Sequence, residues 1–193
     1  MRKLNSLVLF IAVFSILFNI TSHSNLVFAQ QVESAQTEAA TDSAKINYDL
    51  PFPGILPDNP LYKLKVLRDR LGMILVSDPY KRSEFYLLQA DKGILAAAML
   101  VDKNKIDLAN ETALKAENNI TLLANELYRF PQKPKAEFFN KLETASLKHQ
   151  EVLNSLIKRV PEDKQKTLKT VLYFSKNNLQ TIQRFQAKKY YSQ

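Results

Sequence analysis

Ser146, His149 and Glu151 are the nearest approach in this chain to a hydrolytic constellation, since a serine, a histidine and a carboxylate can together activate a hydroxyl for acyl transfer. Their spacing argues against that chemistry. Ser146 falls in mid-helix, with no strained turn to expose it, and the neighbouring amides are committed to the helix rather than free as oxyanion donors. His149 lies within an apolar stripe, after Leu142 and Ala145 and before Val152 and Leu156. A buried histidine satisfied by a hydrogen bond fits that position better than a base.

Other chemistries are as poorly supplied. Cysteine is absent, which removes thiolate nucleophiles, disulfides and the usual nitrogen-and-sulfur zinc set. There is no glycine-rich phosphate loop, dinucleotide fingerprint or G-x-S-x-G elbow, and no D-x-D-x-D-G calcium run. The carboxylates read as solvated groups paired with lysines on exposed faces. No catalytic, cofactor-binding or metal-binding residue is therefore expected, and an enzyme would have to depend on His149.

One charged feature stands out. Lys166, Lys169, Lys176, Arg184 and Lys188 cluster on one face of the last helix, with Tyr173 and Tyr191 among them, and residues 164–193 carry seven bases and no acid. Such a face suits an anionic surface: lipid headgroups, an acidic wall polymer or an acidic protein. Nucleic acid is not expected in the compartment argued below, although the electrostatics alone would admit it. A lysine-rich outer face also simply keeps an amphipathic helix soluble.

The compartment is read from the start of the chain. Arg2 and Lys3 precede the apolar run Leu7 to Ile20, and Val27-Phe28-Ala29 carries small residues where a signal peptidase reads. The run is shorter than the roughly 20 residues of a membrane span. Residues 1–29 are thus expected to be a secretory signal cleaved after Ala29, with an uncleaved anchor as the alternative, and the chain to be extracellular, periplasmic or bound to the cell envelope. Loss of Arg2 and Lys3 leaves 25 basic against 19 acidic residues, a net charge of +6.

Residues 30–60 are expected to be a disordered acidic, then proline-rich spacer, because they lack the apolar content to offset ordering entropy. Residues 61–193 then read as one all-α domain of about five amphipathic helices, in an antiparallel bundle or an array of helical hairpins. Only three glycines occur. The first helix should be capped at Asp58-Asn59-Pro60 and turn Leu61, Leu64, Leu67, Leu71, Ile74 and Leu75 to the core, with Tyr62, Val66 and Met73 on a second apolar face. Asp78 and Pro79 open a second, alanine-rich helix that a neighbour can approach closely. The third carries Ile106, Ala109, Ala113, Ala116, Ile120, Leu123, Leu127 and Phe130 at the period of a coiled-coil seam, which can be met within the chain or by a second copy. The fourth runs from about Lys135 to Arg159, and the fifth follows Pro161.

The segment L-P-x-x-P-L-Y-x-L-K, made here by Leu56, Pro57, Pro60, Leu61, Tyr62, Leu64 and Lys65, is followed by Asp78-Pro79 at the turn into the second helix and by a K-H-x-E-x-L and V-P-E run within Lys148 to Glu162. These three motifs, in that order, resemble a family of exported helical domains catalogued as a domain of unknown function, number 5667 in its series. The resemblance implies an export-associated helical bundle and brings no catalytic residues. The function expected is a non-catalytic interaction module of the cell exterior, binding a protein or an anionic envelope component. The alternatives are a peripheral membrane-surface binder using the basic face of the last helix and, behind it, an enzyme.

Overall fold

Five α-helices form where the apolar periodicity places them: α1 Tyr62–Ile74, α2 Pro79–Asp102, α3 Ile106–Glu126, α4 Ala136–Arg159 and α5 Gln165–Ala187. Short 3-10 turns, Leu127–Arg129 and Glu162–Lys164, follow α3 and precede α5. The computed structural model describes residues 45–188, so the expected signal, residues 30–44 and Tyr191 lie outside the described residues. The fold is all-α, with no strand among the described residues.

Local chemistry sets the helix ends. The side chain of Asp78 accepts a hydrogen bond from the amide of Lys81 at 2.8 Å, and Pro79 occupies the first turn of α2, where a missing N–H costs nothing. Asn104 adopts φ 57°, the left-handed conformation that ends a helix, while the amide of Lys105 reaches back to the carbonyl of Leu100 at 2.8 Å. That tight stop makes α2 and α3 an antiparallel hairpin.

Helices α2 to α5 form a four-helix bundle in which α3 packs on α2 and α5, and α4 on α5 and α2. Its core has two apolar layers. One combines Leu87, Leu123, Leu127, Phe139, Leu142 and Ile182; the other combines Ile94, Ala113, Leu153, Leu156, Leu168 and Val171. Residues early in α2 and α4 meet residues late in α3 and α5, as an up-down-up-down chain requires. The small side chains of α2 and α3 bring those two helices close: a Cβ added at Gly93 would lie 2.7 Å from the Cβ of Ala116.

Two expectations fail. Residues 45–60 do not form a disordered stretch but cross the bundle as an extended strap, with Ile46, Tyr48 and Leu50 turned inward and the residues between them exposed. The strap is held by bonds its polar composition hides: the Ile46 amide donates to Glu151 at 2.8 Å, Lys148 donates to the Ile46 carbonyl at 3.4 Å, and the Tyr48 hydroxyl donates to Asp91 at 2.6 Å. Pro53 and Leu56 are buried. The second failure is α1. It buries no residue, and the leucine stripe expected in the core points outward, while Tyr62, Val66 and Met73 form the half-buried side.

Candidate functional site

The outer face of α1 is built from Leu61, Leu64, Leu67, Leu71, Ile74 and Leu75, with Leu64 63 %, Ile74 77 % and Leu75 80 % exposed. These residues recur at spacings of three and four, so they fall on one arc of the helix. The opposite side is held down by polar bonds as well as by Tyr62, Val66 and Met73. Lys65 donates to the carbonyl of Pro53 at 2.9 Å and lies over the Tyr62 ring, and Asp69 meets Gln89 of α2 at 3.5 Å. Of the two expected caps, Asp58 instead binds Lys105 at 2.9 Å and Lys103 at 3.1 Å at the α2–α3 turn, and these lysines hold its carboxyl below the usual range. Asn59 takes the local role, its side chain accepting from the amide of Leu61 at 2.9 Å.

The motif residues thus divide by role. Leu56 anchors the strap in the core, Pro57, Tyr62 and Lys65 sit half-buried, and Asp78 with Pro79 opens α2. Pro60, Leu61 and Leu64 are exposed, and for Leu61 and Leu64 this corrects the expected core position.

The basic residues of α5 all point to solvent. Lys166 and Lys169 share an open depression with Glu162, Thr170 and Tyr173. Lys176 and Arg184 follow along the helix, and Lys188 lies 5.4 Å from the centre of the Tyr128 ring. Twenty-two helical steps separate the first from the last, about 33 Å, so these cations make a strip rather than a cluster. Large apolar exposure beside them is limited to Tyr173 and Phe174 on the helix itself and to Tyr128 next to Lys188.

Between the two apolar layers lies a polar one that sequence reasoning largely missed. His149 is fully buried, its Nε2 2.8 Å from Asp91 of α2 and its Nδ1 2.8 Å from Glu117 of α3. Asn178 of α5 donates to the backbone carbonyl of Glu117 at 3.2 Å and accepts from Thr121 at 3.1 Å. Each helix of the bundle therefore contributes at least one polar group. Burial pulls the His149 pKa down, but the bonds to Asp91 and Glu117 outweigh it and hold the value at about 9, so the ring is an imidazolium at neutral pH. The expected buried and satisfied histidine is found; the expectation that carboxylates occupy solvated faces fails for Asp91 and Glu117. Ser146 bonds the Leu142 carbonyl within its own helix at 2.8 Å, and Glu151 serves the strap. His149 thus meets neither of its supposed partners.

No curated protein and no solved structure matches the chain. The family described as a domain of unknown function, DUF5667, matches residues 54–163, from the proline segment through α4 and on to the turn before α5. With more than half of its length covered by that match, the chain belongs to the DUF5667 family.

Proposed function

We propose that this protein is a non-catalytic, exported interaction module of the cell exterior, and that it meets its partner, a protein or an anionic envelope component, through the outer face of α1. The observation that carries this reading is a row of six large aliphatic side chains, each close to half exposed or more, four on a helix that buries nothing and two, Leu61 and Leu75, at its caps. Surface leucines scattered singly need no explanation, but a contiguous apolar patch marks a contact surface. A fully buried leucine or isoleucine stabilises a fold by about 2 kcal/mol, and about half or more of that gain is forgone at each of these six positions. The export half of the reading rests on the sequence of residues 1–29.

Retention on isolated cell envelope tests it. The chain from Gln30 onward, which contains every described residue, is compared with its Leu67→Glu/Leu71→Glu variant. The outward positions of both leucines leave the fold intact, so circular dichroism should not change. Retention is expected to drop at least about tenfold, since two charges replace two apolar contacts. Equal retention of the variant would reject the reading.

A further inference from the structure

The face of α1 also carries information about what covers it. At 100° per residue, Leu64, Leu67, Leu71, Ile74 and Leu75 fill one arc, Lys63 and Arg70 line one edge of it, and Arg68 lines the other. The single acid of the helix, Asp69, lies on the half-buried side and is bound by Arg68 at 2.8 Å. Lys63 and Arg70 have no ion-pair partner among the described residues. The exposed arc is thus aliphatic at its centre, cationic at its margin and free of carboxylates.

Three occupants can be weighed against that pattern. A second copy is disfavoured by charge: an antiparallel two-fold pairing of the helices sets Lys63 and Arg70 against the same two residues of the other copy, and a parallel one leaves them without an acid. A protein partner fits the composition poorly, because protein interfaces concentrate their binding energy in Trp, Tyr and Arg and under-use leucine, whereas this arc is wholly leucine and isoleucine. An anionic lipid surface fits both features. Acyl chains accept aliphatic side chains without shape matching, and long basic side chains at the margin reach the headgroups.

We propose that α1 is an interfacial helix that lies flat on an anionic lipid surface, its leucines in the acyl boundary and Lys63 and Arg70 on the headgroups. This rests on the reading of α1 as the contact face and names its partner. The strap and Asp58 fix the start of the helix to the bundle, so about 20 Å of α1 is presented as a ledge rather than as a free tail.

Co-sedimentation with vesicles tests it, using phosphatidylcholine alone and phosphatidylcholine mixed with phosphatidylglycerol. The chain from Gln30 should bind the mixed vesicles, bind the neutral ones at least about tenfold more weakly, and be released by salt. Leu67→Glu/Leu71→Glu should abolish binding, and Lys63→Glu/Arg70→Glu should weaken it about tenfold or more. Lys169→Glu/Lys176→Glu/Arg184→Glu on α5 should leave most of it. Failure of the unaltered chain to bind mixed vesicles overturns the proposal, as does loss of binding in the α5 variant but not in the α1 variants. A dimer in sedimentation velocity that Leu67→Glu/Leu71→Glu dissolves would overturn it in favour of a second copy. If vesicles are ignored while the leucine variant still loses envelope retention, the lipid surface is wrong and the interaction reading stands.

Discussion

A neutral imidazole has one donor, so His149 can donate to both Asp91 and Glu117 only when protonated. The folded protein holds that proton more tightly than the unfolded chain, with a pKa of about 9 against the ordinary 6.5. The stability this contributes is complete below about pH 6.5 and is lost as pH rises through about 9, on the order of 3 kcal/mol in all. Tyr48, whose phenol is pushed up by burial and by its bond to Asp91, remains a donor across that window. Thermal unfolding followed from about pH 6 to pH 9 should therefore show a falling melting temperature. His149→Gln should flatten that slope and cost about 3–5 kcal/mol at the acid end, because Asp91 and Glu117 lose their buried counter-charge. A melting temperature independent of pH in the unaltered protein would contradict the imidazolium.

Between elements, α2 and α3 approach closely at Gly93. Its replacement by alanine gains up to about 1 kcal/mol of helix propensity, but the new methyl would sit 2.7 Å from the Cβ of Ala116, which has no rotamer by which to yield. Overpacking of this kind costs about 1–3 kcal/mol, so Gly93→Ala should lower the denaturation midpoint. Ala116→Gly in the same chain should recover part of the loss, a coupling that a double-mutant cycle in urea would measure; two strictly additive effects would show that the helices are not in contact there. This closeness was legible in the alanines of the sequence, as was the α3 seam, whose central residues Ala109 to Leu127 are all buried. The facing of α1 was not legible, because periodicity reveals an apolar stripe but not whether anything covers it. The strap was hidden because alternation in Ile46, Tyr48 and Leu50 is too short to register against a polar background. Asp91 and Glu117 were within reach: Leu87, Asp91, Ile94 and Ala113, Glu117, Ile120 keep the four-then-three spacing of their stripes, and a carboxylate on each was a sign that His149 had partners.

At the scale of the whole molecule, the polar layer and the exposed helix have opposite effects on cooperativity. Asp91, Glu117, His149 and Asn178 meet only when the four helices are in register, and a slip by one turn would bury unpaired charges, so the layer ties α2 to α5 into one unfolding unit. The first helix stands outside that unit. It has 13 residues, about the length at which isolated helices are marginal in water, and its ties to the body are the half-buried Tyr62 side and a few polar bonds. Its amides should therefore open locally, whereas those in the middle of α3 should exchange only when the bundle unfolds. Hydrogen exchange read by mass spectrometry is expected to be at least about a hundredfold faster over residues 62–74 than over 109–123. Adding vesicles that contain phosphatidylglycerol should slow the first segment and leave the second unchanged, since a bound interfacial helix loses its opening equilibrium while the core gains nothing. Strong protection of 62–74 without vesicles would mean that the leucine face is already covered in solution, and the assignment of α1 as a free contact surface would fall with it.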